Sequence, residues 1–482
     1  MISKPPLSVL PAQPTWYVYL FADRSRMLRA ISALGIGIAA AWSLGAADFG
    51  VLQSALALAM ILAAVSGLGL DPLVREKLKL HPLETTSTLG TGMALRCAAG
   101  IMVYFMMVMA TSPTEPTRPV WLVAALLVLT QTPLLIGLRF EDPIHRPRAL
   151  FAENLALILS LLVVVMLVWV GAEPVWFAAA VVLEQPLAGL LLLLGHDSVA
   201  PEEETFHWEG PAAIEWLKTC WKPLGAVLLT LALLPVSQLL VICLNTPREA
   251  GYFGIAVVLF EFGAFCASVI ILGRLAHSRT TPDEAPISTD SAVDDFTQAA
   301  SVGWILALAV ASISALLAFT VFKTAALRIT FTGALLGASL VPLALGLVRD
   351  EYWRRAGCAD RTVTARLIAV IVNLGLAFWI APQAGAVGVA GCTLVTLIIG
   401  EIVMTSFPGH APRLAHAQAP ALILLGRQRG KKARIPAPLA AIANSSLEPE
   451  ISTFVLLPPT SLTTDHDSPD IISPVGTGVK NP

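Results

Sequence analysis

The chain has 482 residues, of which 56% are hydrophobic and only 13% are charged, about half the charged fraction of typical soluble domains. Its formal net charge is −2, so no general basic field would attract nucleic acid. This composition excludes a disordered chain, a soluble enzyme and a nucleic-acid-binding protein, and it predicts an all-α polytopic membrane protein. The six cysteines are scattered without a CxxC pair, so we expect neither a disulfide framework nor a metal site.

Twelve stretches are apolar over about 20 residues, the length that crosses a bilayer core as a helix. The first six predict an N-terminal lobe over 27–195, and the last six predict a C-terminal lobe over 223–406. The predicted spans are 27–47, 51–70, 91–111, 119–138, 149–170, 174–195, 223–243, 250–273, 299–321, 329–348, 362–382 and 384–405.

Prolines interrupt four of these spans. Each proline leaves a backbone carbonyl without its helical partner, so such sites in transporters line a cavity, act as hinges or simply kink a helix for packing. The interruptions are Gln131-Thr-Pro133, Glu184-Gln-Pro186, Pro235 and Pro342.

Three further segments lie outside the spans. Residues 1–26 are mixed and Pro-rich, without the apolar core of a signal peptide. Residues 196–222 join the lobes and contain a predicted interfacial helix over 211–221, with Trp216, Leu217 and Trp221 on its apolar side. Residues 407–482 combine a basic cluster with Pro-, Ser- and Thr-rich sequence, which predicts a mostly disordered cytoplasmic tail.

The positions of Lys and Arg predict the orientation, because cytoplasmic loops carry an excess of both. If both termini are cytoplasmic, all but four of the 31 basic residues lie on the cytoplasmic side. The four exceptions are Arg118, Arg248, Lys323 and Arg328. The outward loops are all short, so no extracytoplasmic domain is expected.

A short motif repeats between the two lobes. DFGVL at 48–52 opens the second span, and YFGIA at 252–256 lies at the start of the eighth. Each Phe-Gly precedes about 20 apolar residues, as expected of duplicated halves. Two parallel repeats of this kind predict pseudo-symmetric six-helix lobes around a central cavity.

Three stretches resemble a known family. They are GAADFG at 45–50 with GLGLDPLVR at 67–75, AGYFGIA at 250–256, and 373–393, in which Asn373 precedes a Pro-x-x-Gly turn at 382–385 and a Gly/Ala-rich span. Together they resemble the polysaccharide-export branch of the multidrug/oligosaccharidyl-lipid/polysaccharide exporter superfamily, the O-antigen and exopolysaccharide flippases. The resemblance covers residues from about 20 to 406 in span count and order.

The resemblance implies a flippase in the bacterial inner membrane. Its cargo would be an oligosaccharide repeat unit linked to polyprenyl pyrophosphate, moved by alternating access with a proton or Na⁺ as coupling ion, and its partners would include a polysaccharide polymerase and assembly proteins. No GxxxxGK[ST] loop occurs, so no nucleotide or other cofactor is expected. Two positions depart from the family: Ser237-Gln238 stands where an acidic residue is frequent, and Ala381-Pro382 replaces the usual Ile-Pro.

A pyrophosphate headgroup requires cations inside the membrane profile, and the guanidinium of Arg can bind it with two hydrogen bonds. The candidate substrate-binding residues are Arg29, Arg96, Arg366, Arg75 and Arg274. The last two are expected in loops. Each arginine could instead be an anchor whose charge reaches the lipid headgroups.

Four acidic residues also lie within predicted spans, where ionisable groups commonly mark function. Glu184 and Glu261 lie deepest and are the coupling candidates, whereas Glu153 and Glu401 lie nearer the span ends. Each could instead be a neutral acid hydrogen-bonded to a neighbouring helix.

Several other functions stay open at this stage. A multidrug or organic-cation antiporter of the same superfamily would show a similar pattern of spans. A membrane polymerase or ligase of polysaccharide assembly would usually carry a large outward loop, which is absent from this sequence. A scaffold membrane protein is a further alternative, whereas a major-facilitator transporter lacks support, because the loop after the second span has no basic Gly-rich motif.

The orientation makes a direct prediction for reporter fusions. Fusions at Arg118 and Arg248 should report an extracytoplasmic position, and a fusion at Glu203 a cytoplasmic one, since the basic residues are so unevenly distributed. Paired phosphatase and fluorescent-protein reporters measure this directly. A cytoplasmic signal at Arg248 would contradict the topology.

Overall fold

A computed structural model of the chain describes residues 24–80, 85–138, 146–194, 208, 210–231, 233–277, 289–355 and 359–405. All regular structure within these ranges is helical, which confirms the all-α class. Most of the predicted N-terminal segment, most of the first half of the inter-lobe loop and the whole predicted tail lie outside the described residues.

Eight helices make up the described part of the N-terminal half. They are α1 (Arg24–Gly67), α2 (Leu70–Leu80), α3 (Thr85–Ala110), α4 (Arg118–Ala125), α5 (Leu127–Thr130), α6 (Leu134–Gly137), α7 (Arg146–Val170) and α8 (Pro174–Leu194).

The described part of the C-terminal half contains eight more helices and one 3₁₀ turn, Lys323–Ala325. The helices are α9 (Gly210–Thr219), α10 (Trp221–Leu231), α11 (Leu234–Leu244), α12 (Pro247–His277), α13 (Thr289–Val321), α14 (Ala326–Ala338), α15 (Leu340–Arg355) and α16 (Ala359–Thr405).

The helix lengths confirm a polytopic membrane protein. Within the described residues, eight helical stretches are long and apolar enough to cross a bilayer, or nine if α10 and α11 form one bent span. Two of the eight, in α1 and α16, are 41 and 43 residues long, about twice the length that one crossing requires.

Both of these long helices bend sharply at a glycine. Gly45 has φ 75° and ψ 173°, and Gly385 has φ 56° and ψ −140°, backbone conformations that residues with a Cβ rarely adopt. The first bend therefore lies about three residues before the predicted break between spans 27–47 and 51–70, whereas the second lies at the glycine of the predicted Pro-x-x-Gly turn at 382–385. Pro382 lies within the helix, and the chain reverses only where a glycine permits the required φ.

Three of the four predicted proline interruptions coincide with helix ends. One break lies between α5 and α6 at Gln131-Thr-Pro133, one between α10 and α11 just before Pro235, and one between α14 and α15 just before Pro342. Proline suits the first turn of each new helix, because its missing N–H has no partner there anyway. The fourth proline, Pro186, lies inside α8 as predicted, and the helix continues through it without an end.

The loops predicted to contain Arg75 and Arg274 are helical instead. Arg75 lies on α2, and α12 extends past Arg274 to His277. The short helix α2 is amphipathic, and its Leu70 and Val74 are buried against Trp216 of α9. The predicted interfacial helix is thus present as α9, but Trp216 faces protein whereas Leu217 and Trp221 are exposed.

The two repeated Phe-Gly motifs pack directly against each other. Phe49 and Phe253 are both fully buried. A methyl group on Gly251 would overlap the Ala46 carbonyl oxygen, and one on Gly50 would overlap the Pro247 carbonyl oxygen. The second arm of α1 and the start of α12 therefore touch backbone to backbone, and this contact joins the halves at the predicted outer side.

Large apolar side chains cover the outside of the helix bundle. Phe105, Trp169 and Leu308 are 59%, 84% and 66% exposed. In water such a surface would be an aggregation hazard, whereas in a bilayer it is the expected lipid contact.

The glycine contact predicts a large effect of one added methyl group. Gly251→Ala should destabilise the protein by about 1–3 kcal/mol through overpacking, whereas Gly35→Ala should be nearly neutral, since open space surrounds Gly35. Thermal unfolding of the purified proteins in detergent measures both effects. Equal melting temperatures for the two variants would show that the close backbone contact does not exist.

Candidate functional site

The candidate site follows the contact between the first arm of α1 and α12, called the inter-lobe seam below. A Cβ on Gly37 would lie 2.7 Å from Val258 Cγ1, and Ala30 packs with Phe265 and Ile270. Residues that come later in α1 contact residues that come earlier in α12, so the two helices run antiparallel. The seam therefore joins the two halves of the chain along much of its length.

Arg29, Glu153 and Glu184 form a charged cluster, called the Arg29 cluster below. Arg29 Nη2 donates a 3.0 Å hydrogen bond to Glu153 Oε2, with the two side chains 33% and 31% exposed. Both charges also act electrostatically on Glu184 of α8. One cation thus faces two acids from two other helices, so a further proton or cation is needed to balance the cluster.

Glu261 occupies the middle of α12. It shares a helix face with Val258 and Phe265, at spacings of three and four residues, so it faces the seam between the levels of Gly37 and Ala30. Its side chain is half-buried. Among the described residues, no side chain forms a hydrogen bond or ion pair with Glu261.

Arg96 is buried at the inner end of the N-terminal half. Only 6% of the residue is exposed, and Nη2 lies 3.1 Å from Asp71 Oδ1. A Cβ on Gly67 would lie 3.0 Å from the same Nη2 atom. Arg96 therefore packs under the turn between α1 and α2, where Leu68 and Gly69 have φ of 52° and 61°.

Arg75 and Arg274, which were expected in loops, lie at the predicted inner ends of the two halves. Arg75 is half-buried on α2. Arg274 Nη2 lies 3.6 Å from Asp295 Oδ1, and the Tyr352 hydroxyl donates a 2.9 Å hydrogen bond to the other oxygen of Asp295. The ring of Tyr352 also stacks on Phe296, which fixes this acid between α12, α13 and α15.

Arg366 belongs to a four-residue ion network at the inner end of the C-terminal half. Arg366 Nη2 donates a 2.6 Å hydrogen bond to Asp350 Oδ2. The neighbouring Arg349 is 6% exposed and pairs with both Asp350 and Glu401. The network connects α15 with both arms of α16.

A further ion pair, at the predicted outer side, was not predicted from the sequence. Arg328 pairs with Glu249, which is buried, and the Ala386 N–H donates a 3.1 Å hydrogen bond to Glu249 Oε2. Gly385 makes room for this carboxylate, since a Cβ there would lie 2.5 Å from the same oxygen. The sequence signal that could have indicated this pair was the presence of one acid, Glu249, and one base, Arg328, among the few charged residues of the outward loops.

Asn373 and the departure at Ser237-Gln238 meet in a buried polar cluster. Asn373 Nδ2 donates a 2.9 Å hydrogen bond to Ser237 Oγ, and Thr396 Oγ1 donates a 3.4 Å bond to Asn373 Oδ1. Gln238 Nε2 donates to Ser54 Oγ at 3.1 Å and to the Ala250 carbonyl at 2.9 Å. All of these groups are neutral, and Gln238 bridges the two halves through Nε2, while its buried Oε1 has no hydrogen-bond partner among the described residues.

The helix arrangement is similar to that of several solved transporters. The lipid II flippase MurJ in an inward closed conformation matches with a TM-score of 0.62 at 13% identity, over 84% of this chain and 91% of MurJ. An inward-facing multidrug resistance MATE transporter of the MOP superfamily matches with a TM-score of 0.59 at 13% identity, over 84% of this chain and 99% of the transporter. The chain has the MOP-superfamily fold.

Further comparisons agree with this conclusion about the fold. A MATE transporter in complex with MaL6 matches with a TM-score of 0.52 at 12% identity, over 84% of this chain and 98% of that one. Neither a protein-family model nor a curated protein sequence matches the chain. The likeness is therefore one of three-dimensional structure, and its neighbours are transporters and flippases rather than enzymes.

The environment of Arg96 predicts a structural role that can be separated from ligand binding. Arg96→Gln should destabilise the protein by about 1–3 kcal/mol, because Arg96 is 6% exposed and its loss leaves Asp71, whose side chain is 33% exposed, without its cation. Lys323→Gln is the control, since Lys323 is exposed and has no ion-pair partner among the described residues, so its loss should change the stability by less than about 0.5 kcal/mol. Unfolding in detergent measures both, and an unaltered stability of Arg96→Gln would contradict the structural role.

Proposed function

We propose that the protein is a flippase that moves a polyprenyl-pyrophosphate-linked oligosaccharide repeat unit across the bacterial inner membrane for polysaccharide biosynthesis. The observation that carries this proposal is the Arg29 cluster, a partly exposed guanidinium on α1, the helix that forms one side of the inter-lobe seam of an apolar bundle. The MOP-superfamily fold supports it, since MurJ, which has this fold, is a lipid II flippase.

The guanidinium of Arg29 is suited to exchange Glu153 for a pyrophosphate group as its binding partner. Its guanidinium holds Glu153 through one nitrogen, and a third of the side chain remains exposed. A pyrophosphate offers several oxygens in the geometry that a guanidinium binds with two hydrogen bonds. Cargo would therefore replace Glu153 as the partner of Arg29, so a charged headgroup would have a cation inside a low-dielectric site.

The proposal includes twelve spans with both termini in the cytoplasm. The bends at Gly45 and Gly385 divide α1 and α16 into two spans each, and α4–α6, α10–α11 and α14–α15 each count as one broken span. Two six-helix lobes would then alternate around the seam, with residues 27–195 in one lobe and 223–406 in the other.

The coupling ion in this proposal is a proton or Na⁺ taken up by Glu184 or Glu261. Glu184 shares the single cation Arg29 with Glu153, and Glu261 has no partner among the described residues. A carboxylate in this position is stabilised by gaining a proton or a bound cation. Arg75, Arg96, Arg274 and Arg366 remain further cation candidates, each at an inner helix end.

A multidrug or organic-cation antiporter is the second candidate function. The excess of acids over cations along the seam favours it, because Glu184 and Glu261 could bind a cationic solute directly. Drug sensitivity of a deletion strain with normal surface polysaccharide would support this candidate over the flippase.

The test of the flippase replaces Arg29 while protein levels are matched. Arg29→Ala should abolish surface polysaccharide and cause lipid-linked precursor to accumulate, and Arg29→Lys should lower the flux roughly tenfold, because it keeps the charge but loses the two-pronged geometry. Arg354→Lys, at an exposed inner helix end, should leave the flux unchanged.

The contradictory result is equally specific. If Ala at Arg29, Arg96 and Arg366 leaves precursor flux unchanged in stably folded protein, none of these three arginines meets an anionic cargo. The cationic antiporter would then be the better explanation.

A further inference from the structure

An apolar cleft opens on the bilayer side of the bundle near the predicted outer surface, called the outer cleft below. It is a shallow groove between α1, α12 and the end of α13, open to the surroundings along its length. Trp42 stands at its rim and is 69% exposed. The residues that line it include Gly37, Ala41, Ile255, Val258, Val321 and Phe322.

The lining of the outer cleft fits a hydrocarbon chain. It contains no charged side chain and no hydroxyl or amide side chain, so it offers a sugar no hydrogen-bonding side chain. It also lies at the outer end of the seam, where the two halves of the chain meet the lipid. An apolar chain could therefore enter it from the bilayer while a headgroup stays at the surface.

Exposed cations stand directly above this cleft. Arg248 and Ile255 are seven residues apart on α12, which places them on one helix face and about 10 Å apart along the axis. Lys323 follows Phe322 in the chain and begins the 3₁₀ turn. Both Arg248 and Lys323 are exposed, and neither has an ion-pair partner among the described residues.

The placement of these cations is unfavourable for two physical reasons. Outward loops usually carry few Lys or Arg residues, yet three of the four predicted outward cations lie at this corner. Arg248 and Arg328 also lie in the first turns of α12 and α14, where the helix dipole disfavours positive charge. Glu249 forms an ion pair with Arg328. Arg248 and Lys323 have no such partner among the described residues and are available to bind an anion.

We infer that the outer cleft, Arg248 and Lys323 together form an exit site for the translocated product, a glycan linked to polyprenyl pyrophosphate in the outer leaflet. This inference rests on the proposed flippase function. The cleft takes one isoprenoid chain, and the two cations take the pyrophosphate. A two-chain phospholipid with one phosphate matches this arrangement less well, because the site offers one cleft and two free cations.

The test measures binding to the purified full chain in nanodiscs. The probe is farnesyl pyrophosphate that carries a photoreactive benzophenone, and mass spectrometry locates the cross-links. Label should appear in peptides of α12 and α13. The double variant Arg248→Gln/Lys323→Gln should lower labelling about tenfold, as loss of two exposed charge contacts predicts, and Ile38→Trp, which fills the cleft, should lower it similarly.

Two matched controls separate this site from general effects. Arg118→Gln removes the fourth outward cation, which lies on α4 of the other half, and should not change labelling. Ile31→Trp adds the same bulk to a lipid-exposed position of α1, and should not change labelling either. Unlabelled farnesyl pyrophosphate should compete far better than phosphatidylglycerol.

Three results would overturn the inference. These are unchanged labelling in the double variant, an equal loss in Arg118→Gln, and equally strong competition by phosphatidylglycerol, which would identify an ordinary lipid contact. Labelling does not require transport, so the two proposals fail separately. Export that depends on Arg29 beside labelling that ignores Arg248 and Lys323 would reject only the exit site.

Discussion

The structure depends on a contact that only glycine permits. Gly50 and Gly251 let the second arm of α1 touch α12 at the backbone, so that each helix fills the groove of the other. The contact lies where the two repeated motifs meet, with Phe49 and Phe253 buried on either side. Because the two helices touch at this end, the contact sets how α1 and α12 pack along the seam. It therefore also sets the positions of Arg29, Glu261 and the outer cleft.

The second constraint is the cost of charge in a low-dielectric bundle. Candidate arginines have acidic partners in this conformation, namely Arg29, Arg96, Arg274 and Arg366. An ion pair with a buried cation, such as Arg96 with Asp71, contributes to the stability of the folded protein. A pair that stays partly exposed, such as Arg29 with Glu153, can exchange its acid for an anionic ligand, and the released Glu153 carboxylate then needs a proton or water to stabilise it.

Local sequence signals were sufficient for much of the fold. Apolar run length located the bilayer-crossing helices, and prolines located three of the breaks, because both effects act within a few residues. The segment at 70–80 resembled a charged loop, because its apolar side is short. This side is buried only by contact with Trp216, which lies far along the chain.

The candidate site was less predictable for a similar reason. Arg29 and Glu153 could each be recognised as intramembrane charges, but they are 124 residues apart, and nothing in the local sequence pairs them. Glu249 and Arg328, 79 residues apart, were read only as loop charges. Apolar patterns predict which helices enter the membrane, whereas the partners of their charges depend on how those helices pack.

The charges along the seam also suggest an order of events for the proposed cycle. Arg29 lies near the inner end, Glu261 lies midway, and Arg248 and Lys323 lie at the outer end. An anionic headgroup that passes an ionised Glu261 would be repelled, since like charges in a low-dielectric site interact strongly. Neutralisation of Glu261 by a proton or a cation would remove this barrier and leave the outer cations to attract the headgroup. The ion would then couple to transport by electrostatics alone, without any direct contact with the sugar.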